Sequence, residues 1–254
     1  MFENITVQNI ASANPCAPYF SATETEDLKI SFPEQGNPRV RKVVTRSRAR
    51  RSGKYPSWKM GRMIQWESGN EKIVYRTLDG DPTVRAFYEQ PFRVHYSDGG
   101  KVRAHIPDVL VEFADGVEVW EIKDAQNDLD SDLVRRTEIL QTLFAQLGIQ
   151  YRLVTVDKES AKGTAAYSAS LVRFGRSPIG KLERETARRF FERTKKISWL
   201  EAESGCLGQN SRNIVARLLL EGELTASERS AAISSSTEIV ASSVMHSLVS
   251  KWRC

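Results

Sequence analysis

Cysteine and histidine are scarce in this chain, with three of each in 254 residues. Cys16, Cys206 and Cys254 are odd in number and lack metal-type spacing, so neither a disulfide framework nor a zinc site is expected. A reduced compartment follows. Long apolar runs are missing as well, which removes the expectation of a secretory leader or a membrane span. The expected setting is therefore cytoplasmic and bacterial, with nucleoid association whenever DNA is bound. Acidic residues are absent between Pro38 and Trp66, where ten Lys or Arg occur, and the whole chain carries a formal +5 with a pI near 9.1. Such a stretch can neutralise several phosphates. Arg46, Arg48, Arg50, Arg51, Lys54, Lys59 and Arg62 are its candidate DNA contacts; a solvated arm that only keeps the chain soluble is the competing reading.

What is present begins with "HIPDVLVEFADGVEVWEIK" at residues 105–123. Asp115-Gly116 is a strong hairpin signal. A two-residue turn there pairs 114 with 117, 112 with 119, 110 with 121 and 108 with 123. Strand alternation then puts Asp108, Leu110, Glu112, Val119, Glu121 and Lys123 on one face. Val109, Val111, Phe113, Trp120 and Ile122 form the other face, which is expected to be the core side. Two carboxylates beside a lysine suit phosphodiester hydrolysis: Asp108 and Glu121 offer hard oxygen ligands for Mg²⁺, for which Mn²⁺ would substitute. Lys123 would orient the attacking water, while the metal lowers that water's pKa and offsets charge in the transition state. A solvated cross-strand ion pair is the plain alternative.

Around this hairpin the residues predict a helix near Ser68–Leu78, strands near Arg85–Tyr88, Phe92–Tyr96, Val102–Phe113 and Val117–Lys123, and a helix over about Leu129–Leu147. Leu133, Ile139, Leu140, Leu143 and Leu147 are that helix's inward positions. "YRLVTV" at 151–156 then returns parallel to the Glu121 strand, giving a mixed α/β sheet flanked by helices. The upstream helix offers Glu67 and Glu71, of which Glu71 is favoured for the metal site. Ser68-x-x-Glu71 is equally a capping box, in which the glutamate serves the helix N-terminus.

The Pro107-Asp108 step followed by Glu121-Ile122-Lys123 resembles the P-D…(D/E)-x-K pattern of restriction-endonuclease-like nucleases. More narrowly, "YPSWKMGRMIQWESGNE", "LDGDPTVRAFYEQPFRVHY" and "RAHIPDVLVEFADGVEVWEIK" resemble the N-terminal nuclease domain of TnsA, the endonuclease subunit of heteromeric transposases, over roughly residues 54–157. The resemblance implies a catalytic set of Glu71, Asp108, Glu121 and Lys123, with Gln90 near the site as a second-layer residue or a buried structural glutamine. It implies cleavage of the 5′ strands at transposon ends, a DDE-type transposase partner (TnsB-like) that processes the 3′ ends, and an AAA+ regulator (TnsC-like). Two alternatives stay open: a DNA-binding adaptor with an inactive nuclease fold, and a related defence or repair endonuclease.

The expected organisation is a leader and basic arm at 1–50, the nuclease domain at 51–165, a linker at 166–180 and an all-helical, winged-helix or helix-turn-helix-like domain at 181–254. "GRSPIGKL" at 175–182 approaches a phosphate-binding loop, but Leu182 replaces the hydroxyl that would hold Mg²⁺. It is read as a turn in the linker. In the last region Gly222 is expected to cap a helix. Thr225-x-x-Glu228 and Ser235-x-x-Glu238 are read as capping boxes, the second opening a helix through Val240, Val244, Met245, Leu248, Val249 and Trp252. By the resemblance this domain contacts the regulator; DNA binding is the competing inference.

Overall fold

A computed structural model of the chain describes residues 14–34, 36–41, 52–126, 130–242 and 248–253. Arg46, Arg48, Arg50 and Arg51, and the expected helix positions Val244 and Met245, lie outside the described residues. The chain divides into two compact units: residues 1–55, 64–71 and 86–156 form the first, and 56–63, 72–85 and 157–254 the second. In chain order the elements up to residue 156 are β1 (Leu28–Ser31), β2 (Gly53–Pro56), β3 (Met63–Trp66), α1 (Gly69–Gly80), β4 (Val84–Glu89), β5 (Arg93–Asp98), β6 (Lys101–His105), β7 (Val109–Phe113), β8 (Gly116–Asp124), α2 (Ser131–Gln146) and β9 (Gln150–Val156).

The stretch expected as one strand, Val102–Phe113, is two. Pro107 lacks an N–H and cannot continue a ladder. β6 accordingly ends at His105 in a sheet ordered β1-β5-β6, and β7 starts at Val109 in a sheet ordered β4-β7-β8-β9. β7 runs antiparallel to β8 and β8 parallel to β9, so the second sheet is mixed, as the sequence predicts.

The hairpin register differs from the expected one by two residues. Leu110 faces Val119 and Phe113 faces Gly116, so Ala114 and Asp115 form the turn. Gly116 follows at φ +147, a backbone angle that side chains disfavour. An even shift leaves every residue on its expected face. The expectation of one core face was too narrow, however. Leu110 and Val119 are as fully buried as Val109, Val111 and Trp120, because an α/β sheet is covered on both sides and its strands read as nearly continuous apolar runs.

Leu110, Val119 and Tyr151 share a core with Leu140, Leu143 and Phe144 of α2 and with Leu28, Ile30, Phe92 and Val94. Phe92 stacks on Phe144 with ring centroids 6.0 Å apart. Each such side chain contributes about 1.5–3 kcal/mol by leaving water, enough in sum to hold α2 firmly against β9. The Asp130 carboxylate accepts the Leu133 N–H at 2.7 Å and fixes where α2 starts.

The second unit contains α3 (Lys158–Gly175), α4 (Lys181–Arg193), β10 (Lys196–Ser198), α5 (Trp199–Glu203), α6 (Ser211–Glu221), β11 (Leu224–Ala226), β12 (Glu238–Ala241) and α7 (Ser250–Arg253). α3 occupies 166–175, a stretch expected as linker; residues 176–180 remain as the turn before α4. α6 ends on Gly222 at φ +78, whose N–H reaches the Leu218 and Leu219 carbonyls, so that cap is as expected. The all-helical reading is overturned by an antiparallel sheet ordered β10-β12-β11. Thr225 pairs with Val240 in the ladder, and Glu228 turns to Ser230 rather than back to Thr225. Ser235 gives its carbonyl to the Leu200 N–H, while β-branched Ile239 pairs with Ile197 and Ala226. Tertiary pairing overrides the local capping signature here, and among the described residues the short α7 is what remains of the long helix expected at the end.

Candidate active site

The end of the mixed sheet gathers the predicted carboxylates. β7 is paired with β8 as far as Val109 opposite Trp120; one step beyond, the Asp108 N–H donates to the Trp120 carbonyl at 3.1 Å. Asp108 Oδ2 accepts the Ile122 N–H at 2.6 Å, taking over where the main-chain ladder stops. Asp108 is therefore fixed by both its backbone and its side chain.

Glu121, 2% exposed, is surrounded by donors. Lys123 Nζ lies 2.6 Å and Arg136 Nη2 3.2 Å from its Oε1, and His105 Nε2 lies 2.9 Å from its Oε2. The Tyr151 hydroxyl is 3.2 Å from the same His105 nitrogen. Each neighbour arrives on a different element: His105 ends β6, Lys123 follows Glu121 by two residues on the same face of β8, Arg136 comes from the first half of α2, and Tyr151 from β9. The Ile106-Pro107 step, which hands the chain from one sheet to the other, places both His105 and Asp108 at this end.

Glu71 is buried in the first turn of α1. Its N–H donates to Ser68 Oγ at 3.1 Å, and its Oε2 accepts the Glu67 N–H at 2.9 Å. The serine half of the expected capping box is thus formed, while the Glu71 carboxylate reaches Glu67, one residue before Ser68; Glu71 also lies within electrostatic reach of Asp108 and Lys123. Glu67 pairs instead with Arg41 at 2.5 Å.

Charge and burial set these groups against one another. Burial raises the Asp108 carboxyl well above the usual carboxylate range, and the negative charges of Glu121 and Glu71 push it further. Glu71 is raised by burial too. Burial acts to raise Glu121, but His105 and Lys123 outweigh it and hold the carboxyl down at about 2. Burial acts to lower the Lys123 ammonium, yet Glu121 and Asp108 keep it above its ordinary value. The pattern is one firmly ionised carboxylate beside two that resist ionisation, a separation of acid strengths typical of functional sites.

The donor set suits a hard divalent cation, since Asp108, Glu121 and Glu71 offer carboxylate oxygens and a positive ion between them would relieve the repulsion that raises Asp108. Among the described residues no three His, Cys, Asp or Glu side chains are gathered closely enough to form a ready-made cage. Glu121 is engaged by basic side chains instead, so an ion would have to exchange with at least one of them.

Gln90 lies directly behind Asp108. Its N–H donates to the Asp108 carbonyl at 2.9 Å, and its own carbonyl accepts the Val40 N–H at 3.0 Å. It is buried at φ +46, and its Oε1 has no partner among the described residues. A non-glycine residue in that conformation costs about 1–3 kcal/mol and persists where surrounding structure enforces it. Of the expected DNA contacts, Lys54 is exposed and Arg62 half-buried. Lys59 directs its ammonium to the Asp81 and Val84 carbonyls, each at 2.6 Å, which engages it within its own unit. His105, Arg136 and Tyr151 escape the sequence reading because no local pattern links them to Glu121.

A mixed sheet with helices, carrying buried carboxylates and a lysine at one end, is compatible with the restriction-endonuclease-like class of nucleases. Residues 81–156 match the family model described as TnsA-like endonuclease N terminal. Over that segment, which includes Asp108, Glu121 and Lys123 but not Glu71, the chain carries a TnsA-like endonuclease domain. The resemblance read from the sequence is borne out there. No curated protein matches the chain. Among solved structures, the crystal structure of protein VC1899 from Vibrio cholerae is similar at 18% identity over 47% of this chain and 26% of that one, with a TM-score of 0.24. This chain spans about a quarter of that protein, and the likeness carries no argument. Among the described residues no helix is long and apolar enough to cross a membrane.

Proposed function

We propose that this protein is a metal-dependent DNA endonuclease subunit of a transposase that cleaves the 5′, non-transferred strands at transposon ends. The observation that carries the proposal is the convergence of Asp108, Glu121 and Lys123 at one sheet end, inside the segment that matches the TnsA-like endonuclease model. Asp108 and Glu121, with Glu71 as a third carboxylate, are the residues that would hold Mg²⁺, or Mn²⁺ in its place. The ion supplies Lewis-acid activation of water and neutralisation of phosphate charge. Lys123, held by Glu121, orients the attacking water and donates to the developing phosphoryl charge. Water forms the new bond to phosphorus, and a strand oxygen departs as a hydroxyl. The proton that the water gives up passes to solvent, from which the departing strand oxygen takes one in return.

The reading carries a TnsB-like DDE transposase and a TnsC-like AAA+ regulator as partners, with double-stranded transposon ends as substrate. The order α4, β10, α5, α6, β11, β12 supports reading residues 181–241 as winged-helix-like. Its α6 buries seven of eleven residues, most of them in the unit's own core, which leaves little of that helix for reading DNA; contact with the regulator is the role we keep for this unit. An inactive adaptor is the second reading, favoured by the engagement of Glu71 with the Glu67 N–H and of Glu121 by three basic side chains.

The test is reconstitution with the transposase, the regulator and end DNA. Wild type is expected to cut the 5′ strands, and folded Asp108→Asn and Lys123→Ala variants to lose about 10²–10³-fold in cutting rate. Undiminished cutting by Asp108→Asn contradicts the assignment.

A further inference from the structure

Arg136 is the least committed of the groups around Glu121. Its Nη2 makes one hydrogen bond, at 3.2 Å, to an Oε1 that Lys123 already holds at 2.6 Å. Its Nε is buried and has no acceptor among the described residues. A guanidinium presents five donors in a rigid fork, and leaving one buried and unmade is costly, more so for a charged group. Sequence position does not demand this. On α2 the buried side chains are Leu133, Thr137, Leu140, Leu143 and Phe144, and Arg136 sits at the margin of that face with its side chain 28% exposed. One edge of the guanidinium thus meets the site and another reaches solvent.

An unfilled planar fork beside a proposed phosphodiester-cleaving centre matches one ligand chemistry above others, the paired non-bridging oxygens of a phosphate. We propose that Arg136 grips a DNA phosphodiester at the active site with its guanidinium fork, which the bond to Glu121 keeps aimed until the phosphate arrives. This deepens the nuclease reading and rests on it. It also gives the exchange at Glu121 a direction: Arg136, with the longer bond, is the neighbour that releases the carboxylate when phosphate arrives, leaving Lys123 in place.

The experiment measures equilibrium binding of the full chain to a short mixed-sequence duplex, without divalent metal, across a salt series. It compares wild type with Arg136→Gln and Arg136→Lys, with circular dichroism and thermal midpoints for each. Loss of one phosphate contact lowers the slope of log K against log salt by about 0.9. Arg136→Gln is expected to bind several-fold more weakly with that reduced slope. Arg136→Lys is expected to keep the slope but lose affinity, because a point charge replaces the fork. If Arg136 only holds Glu121, thermal midpoints fall while both slopes stay at the wild-type value, and the proposal is overturned. Absence of duplex binding by folded wild type at low salt overturns it as well. Should Arg136→Gln not fold, the Arg136→Lys affinity decides: an unchanged value is contrary to fork recognition. The parent reading is judged separately by Asp108→Asn in the reconstituted cutting assay, where Arg136 is intact.

Discussion

Glu121 and Glu185 have carboxyls held at about the same low value, near 2, by opposite means. Glu121 lies at a sheet end with its side chain 3% exposed, and His105 and Lys123 must overcome its burial. Glu185 sits on the solvent face of α4, where hydrogen bonds from Arg188 and Arg189 lower it against little opposing burial. Proton affinity alone does not distinguish a site from a surface. What distinguishes Glu121 is that it is itself buried and its neighbours come from three separate elements, whereas the α4 charges are near neighbours on one helix with water as an alternative partner.

The largest expected effect comes from breaking the buried side of this pair. Glu121→Ala leaves His105 and Lys123 beside a partnerless cavity and is expected to cost about 3–5 kcal/mol, read as a large drop in the denaturant midpoint. A loss below 1 kcal/mol would show that these charges are solvated after all.

Next in size is Asp108→Asn. A carboxyl whose folded value lies above its unfolded one contributes stability while protonated, and that stability is lost as pH rises from the usual carboxylate range through the raised folded value. At neutral pH the wild type carries this cost and the amide does not. The variant is expected to gain about 0.5–2 kcal/mol at pH 7 while losing activity, with the gain shrinking as pH falls towards 4. An equal or lower thermal midpoint at pH 7 would contradict the burial argument.

Lys59 gives a third contrast, in the second unit. Burial lowers its ammonium to about 8 from 10.5, so between those values the unfolded chain binds the extra proton and stability rises with pH. A urea series from pH 8 to 10.5 is expected to show that rise in wild type and a flatter profile in Lys59→Met. Parallel profiles would count against it. The smallest expected effect is Glu185→Ala on α4, with a thermal midpoint unchanged within error at moderate salt, as exposed pairs are screened. A drop comparable to that of Glu121→Ala would erase the distinction between the two regions.

Asp108, Glu121 and Lys123 are legible in the sequence because strand parity is local and survives a two-residue error in register; an odd error would have scattered them. The mixed sheet, α2 and the parallel return of β9 are legible for a similar reason, since apolar periodicity and turn residues act over short spans. His105 and Arg136 are not, because their approach to Glu121 depends on a sheet-to-sheet crossing at Pro107 and on where α2 docks. Phe144, central to that docking, was passed over for Ile139 and Leu147, which lie at the core's edge. The strands of the second unit were misread because Thr225-x-x-Glu228 and Ser235-x-x-Glu238 carry a helix-start signature that ladder pairing through Val240 and Ile239 overrides.

The central claim is that Asp108 and Glu121 form a cation-binding nuclease site. Calorimetric titration of Mn²⁺ into the protein bound to a short duplex tests it most directly, comparing wild type with Asp108→Asn, both verified as folded by circular dichroism. The account predicts saturable binding in wild type that is lost in the variant; equal heats in the two proteins, or no binding in wild type, would contradict it.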